Sequence, residues 1–286
     1  MTATRTTGRT PAERRLLEAL DAEALVDLAR ALVAAGGENP GGTEEATVAV
    51  LEEAAFRTGL EVRRDEVSSG RPNLLLTLPA TSPAGGEGLL FLGHSDVVPA
   101  GPGWSRPPFV SVVADGRVFG RGSTDMKGGL AAVVGAMAAL KRSGVVLSGP
   151  VTLVCTVDEE DLGLGIRALT AGGLPHSYLG CVVAEPTDME TVIACRGDSY
   201  IVLEITGKPA HSGRPADGRN AISAAARICE LIRVDHEALQ QDQDPLLGSG
   251  TWNVGRIEGG EGTSMVAPSC HISVDRRLMP DDNPED

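Results

Sequence analysis

The chain has 286 residues, 42% of them hydrophobic and only 3% aromatic, and a formal net charge of -14. That length can bury a substantial core in one large domain or two ordinary ones, and a core so poor in rings must be built from Val, Leu, Ile and Ala. The acidity argues against nucleic acid and anionic membrane as partners, because both demand clustered Lys and Arg. No apolar run reaches the length of a membrane span. Residues 1–12 are polar and basic without an apolar segment, so they read as a disordered lead-in and not as a secretory leader. The five cysteines, Cys155, Cys181, Cys195, Cys229 and Cys270, are scattered and form no CxxC pair. Four lie in apolar surroundings typical of buried thiols, and Cys229 falls on an expected helix. This is neither a disulfide framework nor a thiolate zinc site, and a reducing, cytoplasmic location follows.

In chain order, helical spacing predicts a helix over about 13–35, closed by Gly36 and Gly37, and a second over 43–58. Residues 73–78 and 89–92 are apolar runs of strand length, the latter ending abruptly in Gly93-His94-Ser95-Asp96. Segments 110–113 and 117–119 form a hairpin around Asp115-Gly116. Residues 126–142 make an apolar helix, with Gly128 and Gly129 permitting close packing near its start. Residues 151–157 are a buried strand, 162–171 a helix and 179–184 another buried strand. Strands that are near-continuous apolar runs, alternating with helices, predict an α/β domain with a mostly parallel sheet flanked by helices on both faces. Ligands bind such sheets at the carboxyl ends of the strands.

From about Cys195 the pattern changes. A strand over 200–205, a helix over 220–232 and strands over 252–258 and 270–274 form a small α+β unit. We therefore expect one domain over 13–195 and a second over 196–286. The tail adds Asn283 as an N-cap, Pro284 as a first helical residue and acids behind it, so another helix is expected to begin there.

Four groups of acidic or histidine residues fall at the ends of these strands or in the loops after them: His94 with Asp96, then Asp125, then Asp158-Glu159-Glu160, then Glu185. A carboxylate directly after a buried strand is costly unless solvated, paired or bound to a cation. Taken singly, each is more often a helix cap or a surface residue. Converging on one sheet edge, they point to a cation site, and oxygen donors with an imidazole suit Zn, Co or Mn. A rival pattern is Gly163-Leu164-Gly165-Ile166-Arg167-Ala168 with Glu185 about 20 residues later, which fits a loose NAD-binding fingerprint. Four acids from Asp158 to Asp161 intervene between strand and glycines and would repel a pyrophosphate. Ser212, beside His211, has no Asp partner for a serine nucleophile.

The stretches Gly93-His94-Ser95-Asp96-Val97-Val98-Pro99, Gly120-Arg121-Gly122-Ser123-Thr124-Asp125-Met126-Lys127-Gly128-Gly129, Asp158-Glu159-Glu160 and Glu185-Pro186-Thr187 occur in this order. With Gly207-Lys208-Pro209-Ala210-His211-Ser212, Gly218-Arg219-Asn220-Ala221-Ile222 and Asp275-Arg276-Arg277, they resemble the M20 metallopeptidase family. That family includes acetylornithine deacetylase, succinyl-diaminopimelate desuccinylase, aminoacylase and glutamate carboxypeptidase. The resemblance implies a metal-binding catalytic domain, a smaller α+β dimerisation lid, a homodimer, and two Zn2+ per site, with Co2+ or Mn2+ as alternatives. It implies that His94 and Glu185 ligate the first metal, Glu160 the second, and that Asp125 bridges both. Asp96 would accept the other N–H of the His94 imidazole. Glu159 would be the general base toward a water bridging the metals. His211 would stabilise the oxyanion across a dimer, and Arg277 would grip a substrate carboxylate, whereas Arg276 reads as a solvated surface charge. The implied reaction is hydrolysis of an amide bond in an N-acyl amino acid or small peptide.

Two departures stand out. Ser264 occupies the place of an asparagine that touches substrate in the family. No histidine follows that resembles the family's last metal ligand, so the second metal would keep only Asp125 and Glu160 from this chain. A C-terminally truncated member is the expectation, with a sheet edge left bare. A catalytically impaired chain that only binds metal or dimerises is the alternative.

Overall fold

A computed structural model of the protein describes residues 8–83 and 85–283. The chain divides into two compact units, Met1–Met189 and Glu190–Asp286, slightly ahead of the composition change at residue 195.

The first unit opens with α1 (Pro11–Glu18) and α2 (Ala22–Ala35), where the spacing predicted one continuous helix. One cap explains the early start of α1 and another the break. Thr10 and Glu13 form a reciprocal capping box at the start of α1, and the Asp21 side chain accepts the Ala24 N–H at 3.0 Å to start α2. Order therefore begins before residue 13, and residues 1–7 of the expected lead-in lie outside the described residues. Next come α3 (Glu45–Thr58), β1 (Glu61–Ser68), β2 (Arg71–Leu78), β3 (Gly88–His94), the hairpin β4 (Val112–Ala114) and β5 (Arg117–Phe119), α4 (Gly128–Ser143), β6 (Val151–Thr156), α5 (Leu164–Gly172) and β7 (Tyr178–Val183).

The main sheet has the order β1-β2-β6-β3-β7. The β6–β3 and β3–β7 pairs are parallel. The β1–β2 and β2–β6 pairs are antiparallel, so the α/β class holds with a mixed sheet where a mostly parallel one was expected. The cause is local: Ser69 and Gly70, the latter at φ 72°, turn the chain straight back from β1 into β2, and a two-residue turn can only join antiparallel strands.

Alternation along the central strands separates two cores. Leu74, Leu76, Leu78, Leu153 and Cys155 face α2, α3 and α4 in the larger core. Leu75, Leu90 and Val154 face Leu169 of α5 on the other side. β7 was expected to be buried, but it runs along the sheet edge with Leu179 76% exposed and Val182 and Val183 also exposed. Its apolar composition signals an interior strand, yet within the described residues it pairs only with β3. Cys181, on this strand, and Cys195 are accordingly exposed free thiols, against the expectation of burial.

The second unit contains β8 (Gly197–Thr206), a short turn of helix at Pro215–Asp217, α6 (Ala221–Leu239), β9 (Thr251–Gly259) and β10 (Ser269–Leu278). Its sheet has the order β8-β10-β9, antiparallel throughout. One face packs Cys270, Ile272 and Val274 against Ala221 and Ala225 of α6. Arg276, read as a surface charge, is 9% exposed. Its guanidinium lies 5.1 Å from the Trp252 ring centre and 3.0 Å from Asp282, so stacking and pairing offset its burial. The helix expected from Asn283 and Pro284 lies outside the described residues.

Candidate metal centre

The parallel strands β6, β3 and β7 are adjacent, so their carboxyl ends lie side by side on one edge. His94 is the last residue of β3, Glu159 and Glu160 lie in the loop after β6, and Glu185 follows β7 by two residues. Asp125 comes from an irregular turn, Ser123–Lys127, that leads into α4 and contains a cis Asp125–Met126 peptide. The strand ends and this turn bring residues distant in sequence around one imidazole.

His94 is 1% exposed. Its Nδ1 lies 3.0 Å from the main-chain oxygen of Asp96. A carbonyl oxygen can only accept, so Nδ1 carries the hydrogen and Nε2 points at the acids. Nε2 stands 3.0 Å from Asp125 Oδ1, 3.5 Å from Glu185 Oε1 and 3.8 Å from Glu159 Oε2. Donor atoms of His94, Asp125 and Glu185 all lie within 4.8 Å of one another, as do those of His94, Glu159 and Glu160. The Asp96 carboxylate, expected to orient the imidazole, sits farther from Nδ1 at 3.5 Å. It also accepts the backbone N–H groups of Glu159 and Glu160 at 3.2 and 3.0 Å.

The electrostatics are those of an acid cluster around one base. Burial opposes the charged imidazolium of His94, but hydrogen bonds to Asp125 and Asp96 and the charges of Asp96 and Glu185 outweigh it and push its pKa up to about 11. The hydrogen bond from His94 holds the Asp125 carboxyl below its ordinary range. Burial, with the nearby Asp125 and Glu159 charges, raises Glu185 to about 7. Burial raises Glu160 as well. An imidazole among carboxylates that resist ionising together is the donor set of a hard-to-borderline divalent cation.

Lys127 anchors the Asp125 turn. It is fully buried, and its ammonium donates to Leu32 O, Gly36 O and Thr47 Oγ1 at the end of α2 and the start of α3. Burial brings its pKa down to about 8. Gly129 lets α4 approach the segment after β7: a Cβ there would collide with the main-chain oxygen of Ala184, next to Glu185. A cavity of about 210 Å³ adjoins the centre, walled by Val98, Arg121, Ser123 and Thr124 with Asp125 and Glu160.

Other expected site residues lie elsewhere. Asp158, grouped in sequence with Glu159 and Glu160, is buried and turned away toward Asn39 and Arg71. His211, Ser264 and Arg277 belong to the second unit. His211 is exposed, forms an isolated bridge with Met265 and accepts the Gly213 N–H at Nδ1, while Ser264 O accepts the Ser212 N–H. Arg277 on β10 pairs with Asp275 at 2.9 Å. The NAD-type glycine pattern has no free anion cradle, because Asp158 Oδ2 already accepts the Leu162 and Leu164 amides at the start of α5. Asn39, Glu44 and Arg71, which meet beneath the loop after β6, were not singled out from sequence; the polar Arg71 and Asn73 heading an otherwise apolar strand were the available signal.

Residues 90–271 match the profile of peptidase family M20/M25/M40. The chain is 32% identical over 240 residues to an acetylornithine deacetylase of Vibrio vulnificus, covering 82% of this chain and 62% of that protein. It is 34% identical over 178 residues to a probable succinyl-diaminopimelate desuccinylase of Staphylococcus epidermidis, covering 62% of this chain and 43% of that protein. It thus spans less than two thirds of the length of these relatives. Among solved structures, aminopeptidase PepT from Bacillus cereus superposes with a TM-score of 0.61 at 27% identity, covering 92% of this chain and 68% of that one. The match runs from the middle of β3 to the start of β10 and takes in the acidic and histidine motifs of both units, and on that basis the chain belongs to peptidase family M20/M25/M40.

Proposed function

We propose that the protein to which this chain belongs is a metal-dependent hydrolase of the amide bond in an N-acyl amino acid or small peptide. The observation that carries the reading is the ring of Asp125, Glu185 and Glu159 oxygens within 3.0 to 3.8 Å of the His94 Nε2. The related deacetylase and desuccinylase support the same substrate class.

In this reading His94, Asp125 and Glu185 hold one cation, and Asp125 with Glu160 contributes to a second. Zinc is the proposed ion, with cobalt or manganese accepted by the same donors. When bound, the ions lower the pKa of a water and polarise the scissile carbonyl. Glu159, half exposed beside His94, takes a proton from the attacking water and delivers it to the leaving amine. The C–N bond breaks as the amine takes that proton, and the remaining acid proton of the acyl product passes to the freed amine, so the products are a carboxylate and an ammonium. His211, Ser264 and Arg277 are proposed to meet the oxyanion and the substrate carboxylate, with His211 supplied across a homodimer. A reducing cytoplasm is the proposed setting; among the described residues no helix is long and apolar enough to cross a membrane.

The test is metal content after reconstitution with Zn2+, followed by turnover of N-acetyl and N-succinyl amino acids and small peptides. Glu160→Ala should lower metal content. Glu159→Gln should keep the metal and reduce kcat by about 10²- to 10⁴-fold. Retained metal without turnover in the unsubstituted chain would favour a metal-binding role for this chain alone, and absence of metal would overturn the centre itself.

A further inference from the structure

Beneath the Glu159–Glu160 loop lies a set of buried polar contacts centred on one carboxamide. Asn39 is 2% exposed, and Asp96 and Asp158 are fully buried. The Asn39 Nδ2 donates to Asp96 Oδ2 at 2.8 Å and to Asp158 Oδ1 at 3.0 Å, which uses both of its hydrogens. Each carboxylate then holds two backbone amides. Asp96 accepts from Glu159 and Glu160, and Asp158 accepts from Leu162 and Leu164 at 3.2 and 3.1 Å. Arg71 stands 2.8 Å from Asp158 and is paired with Glu44 on its other side. Asn39 is itself fixed, its N–H donating to Val97 O at 2.8 Å.

Two buried carboxylates would repel one another unless a donor stood between them. A neutral amide donor does this without adding a charge, and no acceptor-only or apolar side chain of that size can. The geometry points to Asn39 as a positioning residue: by binding Asp96 and Asp158 together it fixes the four amides of 159–164, and so aims the Glu159 and Glu160 carboxylates at His94. The functional meaning rests on the proposed role of those two glutamates, while the contacts stand by themselves.

Asn39→Ala, and Asn39→Ser as a variant that keeps one hydroxyl donor, are to be compared with the unsubstituted chain in two assays. The first is amide hydrogen exchange of the metal-free protein. Exchange across 159–164 should accelerate about tenfold or more in Asn39→Ala and less in Asn39→Ser, with the β2, β6 and second-unit amides unchanged. The second is titration with Co2+, whose dissociation constant should rise about 10- to 100-fold in Asn39→Ala and be partly restored in Asn39→Ser. Local exchange and Co2+ affinity within about twofold of the unsubstituted chain, a uniform rise across the first unit, or failure of both variants to fold would each overturn the positioning role. If the unsubstituted chain itself binds no Co2+, the functional reading fails, and exchange at 159–164 alone decides whether Asn39 positions the loop.

Discussion

Arg71 offers the sharpest test of how the first unit is held together. Its guanidinium donates Nε–H to Glu44 Oε2 at 2.9 Å and Nη2–H to Glu44 Oε1 at 2.6 Å, and it lies 2.8 Å from Asp158 Oδ1. Both acid side chains are 1% exposed, whereas that of Arg71 is 17% exposed. Arg71→Met keeps most of the stem but leaves Glu44 and Asp158 buried without this cation. Removing one partner of a buried ion pair costs about 3–5 kcal/mol, set against a whole-domain stability of about 5–15 kcal/mol. The assay is urea unfolding followed by fluorescence. The two tryptophans, Trp104 and Trp252, fall one in each unit, so a Trp252→Phe background isolates the first unit. The expected result is a midpoint lowered by the full amount, with partial recovery in Arg71→Met/Glu44→Gln because the second change removes one stranded charge. A loss under about 1 kcal/mol would mean that the pair behaves like an exposed salt bridge. Absence of any recovery in the double variant would equally refute the reasoning.

Metal binding should release protons. With His94 pushed up to about 11 and Glu185 to about 7, the metal-free centre at pH 7 keeps a proton on the imidazole and about half of one on Glu185. Zn2+ affinity should therefore rise between pH 6 and 8, and calorimetry in buffers of different ionisation enthalpy should report release of about one to two protons; heat independent of buffer would contradict this. Because the folded pKa of His94 is raised, its imidazolium stabilises the metal-free fold fully below the unfolded value of about 6.5, and that contribution is lost as pH rises through about 11. Gly129→Ala should cost about 1–3 kcal/mol and weaken metal binding, because its methyl meets the Ala184 carbonyl beside Glu185; thermal melting with and without Zn2+ checks both effects. Leu179→Lys on the bare edge of β7 should reduce self-association without lowering the melting temperature, as read by sedimentation; unchanged association would place the sticky surface elsewhere.

The parts of the fold readable in sequence were those whose burial leaves an unmistakable pattern. β2, β3 and β6 are continuous apolar runs because helices cover them, and the histidine and acids at or after the ends of β3, β6 and β7 marked the centre. β1, Glu-Val-Arg-Arg-Asp-Glu-Val-Ser, went unseen because it pairs on one side only and exposes its charges. The spacing of apolar residues runs unbroken from α1 into α2, so only the capping side chain of Asp21 betrayed the interruption. Arg276 and Arg277 are adjacent and chemically identical, and only the register of β10 against Trp252 tells which one is buried. Strand direction was unreadable for a related reason: apolar runs look alike in parallel and antiparallel pairs. The contacts of Asn39 span 57 and 119 residues, far beyond any local periodicity.

The central β6-β3-β7 trio bears on how the proposed centre would acquire an ion. His94, Asp125, Glu159 and Glu185 are gathered from three strand ends and the start of a helix, so an unfolded chain does not hold these four donors together. Backbone amides and carbonyls, not the cation, fix their directions. For the proposed centre, loading is therefore expected to follow folding. An ion admitted that late would be selected by the pool of free metals around the folded protein, so the proposed centre is expected to fill differently as that pool changes.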